Sequence, residues 1–254
     1  MMTSNVGIAG QRMLVVGAAK GIGNGIASRL AGEGVEVVVL DRDLEGVREF
    51  AHELRGEGAT VHPYHLDLTD EASVTGTVER VVAEVGVPQG VVNSAGIAGP
   101  TGLNTEDITP VDFDAVLGVN LRGAYLLSRA VLPRLAEVGY GRVVQVASIA
   151  GKDGNPGMLP YTVSKAGLIG MVKAQGKEYA RTGVTINAVA PAVVLTDLVA
   201  ALPEETVDYM TSRIPMGRCG EIAEIAELVA WMVSPACSYT TGFTFDASGG
   251  RATY

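Results

Sequence analysis

The run Arg12-Met13-Leu14-Val15-Val16 passes directly into Gly17-Ala18-Ala19-Lys20-Gly21-Ile22-Gly23, and helical spacing follows at Ile22, Ile26 and Leu30. A short apolar run with β-branched residues, bounded by glycine, predicts a buried strand. A strand that feeds a glycine-rich turn into a helix restricts the fold sharply. The strand belongs in a sheet covered on both faces, and the turn opens a helix N-terminus at the strand's carboxyl end. Backbone N–H groups and the positive end of the helix dipole favour an anion there, and absent side chains let a pyrophosphate come close. The spacing is G-x-x-x-G-x-G, not G-x-G-x-x-G, and in a chain with 33 glycines a plain tight turn is also compatible with it. On the phosphate reading, Gly17, Lys20, Gly21, Ile22 and Gly23 are the candidate contacts.

The same alternation continues along the chain. Val35 to Leu40, Thr60 to Leu66, Gly90 to Val92, Arg142 to Ala147, Val184 to Val189 and Gly242 to Asp246 read as strands. Between them lie helical patterns over Asp43 to Glu57, Thr69 or Asp70 to Val85, Val111 to Ala136, Pro156 to Arg181, Pro203 to Ser212 and Glu221 to Val233. The segment Ile97 to Pro110 reads as loop. Alternating strands and helices predict an α/β fold, a Rossmann-type doubly wound parallel sheet with helices on both faces. No linker, repeat or low-complexity block interrupts it, so residues 1–254 are expected to form a single domain with 1–11 as an N-terminal extension.

Composition narrows the function classes. Apolar residues make up 47% and aromatics 5%, which suits a Val- and Ile-rich sheet under tightly packed helices. A net charge of −9 argues against a nucleic-acid or anionic-membrane surface, since both demand basic patches. Cys219 and Cys237 form no C-x-x-C pair and have no clustered histidines beside them, so no metal is expected and a reduced, cytoplasmic setting is. The N-terminal stretch lacks a signal-peptide pattern, and no uninterrupted apolar segment suggests a bilayer span.

In an open parallel sheet, ligands bind beyond the carboxyl ends of the strands. Gly17, Asp41, Asp67, Asn93, Ser148 and Pro191 all fall there. A carboxylate at the end of the second strand, roughly 20 residues past the glycine turn, can accept both hydroxyls of an adenosine ribose and would repel a 2′-phosphate. Asp41 therefore favours NAD over NADP, although the adjacent Arg42 can reach a phosphate. Asp67, with Leu68 beside it, meets the adenine end or serves as a capping residue. Asn93-Ser94-Ala95-Gly96 is a small-residue turn that lets a cofactor pass close to the backbone, with Ala95 and Gly96 as contacts. Tyr161 and Lys165, four apart, share one helix face with Ser148 a short way upstream. A phenol titrates near 10, and a neighbouring ammonium lowers that value by favouring the phenolate, which prepares Tyr161 for acid–base work near neutral pH.

These motifs, Gly17-x-x-x-Gly21-x-Gly23, Asn93-Ser94-Ala95-Gly96, Asn120, Ser148 and Tyr161-x-x-x-Lys165, resemble those of the short-chain dehydrogenase/reductase family in order and spacing, over about Arg12 to Gly250. The resemblance implies hydride transfer between NAD and a secondary alcohol or ketone. It makes Tyr161 the general acid/base, Ser148 the residue that orients the reacting oxygen, and Lys165 the partner that lowers the tyrosine pKa and holds the nicotinamide ribose. Asn120 is similar to the residue that kinks its helix and holds a water of the proton relay. Where the family commonly has Pro-Gly after its sixth strand, this chain has Pro191-Ala192, so the turn must use ordinary backbone angles. Val194 is carried over as a backbone contact to the carboxamide, and Thr196 as a hydrogen bond to the nicotinamide or phosphate. Residues 198–216 are expected to form a lid, with Lys152, Asn155, Met158 and Leu159 along the pocket wall. The tail from Ser248 to Tyr254 looks like that of dehydrogenases acting on sugars and 2-keto-3-deoxy sugar acids. The alternatives are an NADPH-dependent 3-oxoacyl carrier-protein reductase and, more remotely, a non-catalytic dinucleotide-binding protein. The family also implies a homotetramer, built from the two long helices and the last strand, with the tail near a neighbouring subunit's site.

Overall fold

The computed structural model describes residues 7–254. Seven strands form one parallel sheet: β1 (Arg12–Val16), β2 (Glu36–Asp41), β3 (Val61–His65), β4 (Gly90–Asn93), β5 (Gly141–Val146), β6 (Val184–Pro191) and a last strand, Thr244–Ala247. The spatial order is β3-β2-β1-β4-β5-β6 and then the last strand, every neighbouring pair running parallel. The chain reverses its direction of travel across the sheet between β1 and β4. A crevice therefore opens past their carboxyl ends.

Strand residues alternate between two cores. Met13, Val15, Val37 and Val39 face the layer of α1 (Gly21–Gly32) and α2 (Leu44–Gly56), while Leu14, Val16, Val38 and Leu40 face the opposite layer with α3 (Glu71–Glu84). That period of two, apolar on both faces, is what a doubly covered sheet requires. Each fully buried Leu, Ile or Val side chain contributes roughly 1.5–3 kcal/mol relative to exposure. Ile8 is fully buried in the first core, and Gly10 N–H donates to Gly34 at 2.9 Å. Within the expected extension 1–11, Ile8 is thus anchored in the core while Ala9 and Gly10 are exposed, and residues 1–6 lie outside the described residues.

The helix expected over Val111 to Ala136 is not continuous. It consists of α4 (Pro110–Leu117), a π-helical segment at Gly118–Gly123, and α5 (Ala124–Val138). The whole stretch Pro110–Val138 is long and apolar enough to cross a membrane by length and composition alone, although charges such as Arg122 and Arg129 interrupt it; 56% of its apolar window is buried. Leu127, Val131 and Leu135 pack into the second core. The second long helix is also shorter than expected, a four-residue turn α6 (Ala150–Asp153) followed by α7 (Leu159–Glu178). Beyond β6, a strand β7 (Val194–Leu195), helices α8 (Asp197–Ala200) and α9 (Glu204–Ser212), and a strand β8 (Gly220–Glu221) precede α10 (Ile222–Met232) and the last strand, β9. The two-residue pair β7–β8 carries no periodic signal in sequence.

Candidate active site

Gly17 leaves β1 with φ +78°, its N–H donating to Leu40 at 2.8 Å. A Cβ at Gly17 would lie 2.6 Å from the Ala95 nitrogen, and one at Gly23 would collide with the Gly17 carbonyl oxygen. Chain packing on chain thus requires those two glycines whether or not a pyrophosphate also approaches them. At Gly21, φ +61°, the nearest atom to a Cβ would be Thr196 Cγ2 at 3.8 Å, which leaves space beside the helix start. Lys20 caps α1 in extended conformation with no side-chain cap and no acid in the first turn. The first N–H groups of α1 are therefore free of local acceptors, as an anion site needs.

The crevice has two arms that share Gly17, Lys20, Ser94 and Gly96. One, of about 600 Å³, is lined by Asp41, Arg42, Asp67, Leu68 and Ala95. Asp41 stands at the end of β2, Oδ2 accepting from Ala19 N–H at 3.2 Å and Oδ1 from Asp43 N–H at 3.0 Å. Asp67 Oδ1 accepts from Thr69 N–H at 2.8 Å and Thr69 Oγ1 at 2.7 Å, which holds its carboxyl below the ordinary range. Both readings of Asp67 therefore coexist: it orders its loop and lines the cleft. Asn93 does not line the cleft. It is buried, donating to Gln145 Oε1 at 2.9 Å and accepting from Ala95 N–H at 3.3 Å, so it shapes the turn that presents Ala95 and Gly96.

The other arm, about 530 Å³, holds Ser148, Tyr161 and Lys165 at its base, with Ile22, Pro191, Val194 and Thr196 above. Ser148 Oγ accepts from Ala150 N–H at 3.1 Å and is hydrogen-bonded to Tyr161. Burial pushes the Tyr161 phenol above its usual value near 10, and the Ser148 bond opposes that rise. The expected lowering by Lys165 is not seen. Lys165, 4% exposed, lies 5.6 Å from the Tyr161 ring centroid and donates to the Val146 carbonyl at 2.7 Å. Burial brings its own pKa down to about 8. The lysine is perturbed by its surroundings more than it perturbs the tyrosine.

Asn120 sits inside the π segment, 1% exposed. Its Nδ2 donates to the Ile97 carbonyl at 2.9 Å and to Ser164 Oγ at 3.0 Å, while Oδ1 accepts from Ile97 N–H at 2.8 Å. A Cβ on Gly96 would lie 3.2 Å from Asn120 Oδ1 and 3.4 Å from Lys165 Nζ, so the three converge. Ser164, fully buried, was missed in sequence; its hydroxyl also donates to the Tyr161 carbonyl at 2.7 Å. The turn at Pro191-Ala192 uses ordinary angles: no non-glycine residue has a positive φ among the described residues.

Asn155 and Met158 line the reaction arm as expected, but Lys152 and Leu159 do not. Lys152 Nζ is 2.9 Å from Asp246 Oδ2 and sits over the Tyr254 ring, and Leu159 borders a separate groove with Leu103 and Asn104. From the expected lid, Leu198, Val199, Tyr209, Met210 and Arg213 reach the cavity. The tail folds onto its own chain, where Arg251 lines the reaction arm and Tyr254 OH donates to the Lys152 carbonyl at 2.7 Å. Sequence reasoning sent Arg251 towards a neighbour and did not single out Arg213. Neither lies in a motif that would have marked it. No cluster of three or more His, Cys, Asp or Glu gathers in metal-binding fashion among the described residues.

Residues 17–252 match a family model described as enoyl-(acyl carrier protein) reductase. The chain is 41% identical over 247 residues to the 2-dehydro-3-deoxy-L-rhamnonate dehydrogenase (NAD(+)) of a Sphingomonas species, covering 97% of both chains. It is 37% identical to a 3-oxoacyl-[acyl-carrier-protein] reductase of Thermotoga maritima, over 96% of this chain and 98% of that one. Among solved structures, an actinorhodin polyketide ketoreductase variant with NADPH superposes with a TM-score of 0.90 at 35% identity, covering 96% of this chain and 98% of the other.

Proposed function

The chain belongs to the short-chain dehydrogenase/reductase family and is an oxidoreductase acting on alcohol and ketone carbons with a nicotinamide dinucleotide; we propose that it prefers NAD and acts on a sugar or sugar-derived keto acid. The observation that carries the reading is one cleft with Ser148, Tyr161 and Lys165 at one end and Asp41 at the other. The open N-terminus of α1 and the space beside Gly21 fit a pyrophosphate between them. Asp41 would take the adenosine ribose, Asp67 and Leu68 the adenine side, Ala95 and Gly96 the middle of the cofactor, and Val194 and Thr196 its nicotinamide end. The relative named for NAD and a deoxy sugar acid supports the substrate class. A second reading, an NADPH-dependent ketoreductase, draws on Arg42 beside the adenosine arm and on the carrier-protein and polyketide reductases above.

A bound nicotinamide supplies the hydride acceptor or donor. The chain supplies the rest. Tyr161 moves the proton at the substrate oxygen, and Ser148 Oγ holds that oxygen in line. Because burial keeps the phenol protonated at neutral pH, Tyr161 is ready as an acid for ketone reduction and must lose a proton before alcohol oxidation, so oxidation rises with pH. Lys165, still largely charged at pH 7, would hold the nicotinamide ribose as the family resemblance implies. Asn120 positions the floor of the site through Ile97 and Ser164. The segment 198–216 would exclude water.

A screen of secondary alcohols, aldoses and sugar acids with NAD and NADP, followed by reduced-nicotinamide absorbance, tests the proposal. Better use of NADPH than NADH would overturn the Asp41 assignment. We also propose a cytoplasmic homotetramer. Among the described residues β9 pairs only with β6 and its other edge is unpaired, and Phe243 before it is exposed, so a symmetry mate would cover an aggregation-prone edge. A fully active monomer in sedimentation equilibrium refutes that assembly.

A further inference from the structure

Among the described residues, the reaction arm has no aspartate or glutamate on its wall, yet four cationic residues line it: Lys20, Lys165, Arg213 and Arg251. In a chain of net charge −9, this is a local reversal of sign. Lys20 and Lys165 lie on the cofactor side of the proposed site. Two guanidinium groups remain for the substrate.

They differ in how they are held. The Arg251 side chain is 7% exposed and fixed from one side, Nη2 donating to Asn155 Oδ1 at 2.7 Å and Nε lying 3.4 Å from Asp153 Oδ2. Arg213 follows the last residue of α9, is exposed, and its guanidinium has no partner among the described residues. Guanidinium is planar and always charged, and its forked donors match a carboxylate better than a hydroxyl. A neutral sugar gains little from two such groups.

Resting on the dehydrogenase reading above, we infer that Arg251 and Arg213 bind a carboxylate of the substrate, Arg251 as a fixed seat and Arg213 as an arm brought in with the lid helix. The substrate class is then a hydroxy or keto acid rather than a neutral sugar or alcohol. The rival role for Arg251 is to pin the C-terminal tail to the turn after α6, which its bonds to Asp153 and Asn155 already do. That role does not require a second, unpartnered arginine on a carboxylate-free wall.

The test is calorimetric titration of the NAD-loaded enzyme with 2-dehydro-3-deoxy-L-rhamnonate and with its uncharged amide, which differ only in charge at the recognised group. The acid should bind at least about tenfold more tightly than the amide. That ratio should fall towards one in Arg213→Gln, recover partly in Arg213→Lys, and fall again in Arg251→Gln. Equal affinity of the two probes for the wild type, or binding of neither, overturns the inference. So does a ratio that survives both glutamine variants. If Arg251→Gln lowers the melting temperature and leaves the ratio intact, Arg251 is a tail anchor and the seat is refuted. Turnover of neutral secondary alcohols in any of these cases leaves the oxidoreductase reading standing and removes only the carboxylate site.

Discussion

Replacing Lys165 by Met should change how stability depends on pH, by an amount set by the lysine's burial. In the folded chain Lys165 titrates near 8 because it is buried, against 10.5 ordinarily. Between those pH values the unfolded chain holds a proton that the folded chain has released, so stability rises with pH across the window. Below about pH 8 the lysine is charged in both states, and the folded chain bears the full cost of a buried ammonium. The gap from about 8 to 10.5, at roughly 1.4 kcal/mol per pH unit, amounts to about 3 kcal/mol in full, most of it reached by pH 10. Lys165→Met cannot titrate, and the bare Val146 carbonyl it leaves behind costs the same at every pH. The difference in unfolding free energy, wild type minus variant, should therefore climb by that amount between pH 7 and pH 10. Guanidinium unfolding of both proteins without cofactor, at several pH values, measures it. Tyr161, present in both, cancels. Parallel curves, differing by no more than about 0.5 kcal/mol over that range, would refute the assignment. With saturating NAD, Lys165 gains ribose hydroxyls as partners in the proposed site, and the climb should begin at higher pH.

Tyr161→Phe should keep the fold and NAD affinity while kcat falls by about 10²–10⁴, since a phenyl ring cannot carry a proton; near-normal turnover in stopped assays would sink the acid–base role. In Asp41→Ala the preference for NAD should narrow, chiefly through a lower KM for NADP, and an unchanged preference would mean the ribose is read elsewhere. Gly23→Ala should destabilise the protein by roughly 1–3 kcal/mol or more in thermal unfolding even without cofactor, because its methyl meets the Gly17 carbonyl. A variant that loses only cofactor affinity would refute the packing role of that glycine and leave it to the pyrophosphate alone.

Strands were easy to read because both of their faces are buried, and a run such as Val37 to Leu40 has no other plausible destination. The site residues on strand ends followed from the same pattern, as Asp41 and Ser148 illustrate. What escaped depends on contacts between distant segments. The break in the long helix at Gly118–Gly123 is occupied by Asn120, whose side chain bonds to Ile97, 23 positions away, and to Ser164, 44 away; an apolar periodicity cannot register that. Gly17 and Gly23 looked like a ligand's glycines and are in part the protein's own, because Ala95 passes over Gly17 only in three dimensions. The direction of the Tyr161 shift was misjudged for a related reason. Sequence spacing gives the neighbouring charge and not the depth of burial, and here burial prevails. Arg213 and Arg251 lie 38 positions apart in segments without a motif, and only the folded lid and tail bring them to one cavity.

The bonds of Asn120 have a mechanical corollary. They join the chain leaving β4 to the break before α5 and to α7, so one wall of the cleft and its floor are a single rigid block. Among the described residues, Leu198 to Arg213 line the same cavity without sharing those bonds, so in the proposed site that flank would serve as the door. A change of substrate range would accordingly be won by rewriting the door and its hinges, with the proton-handling block left untouched.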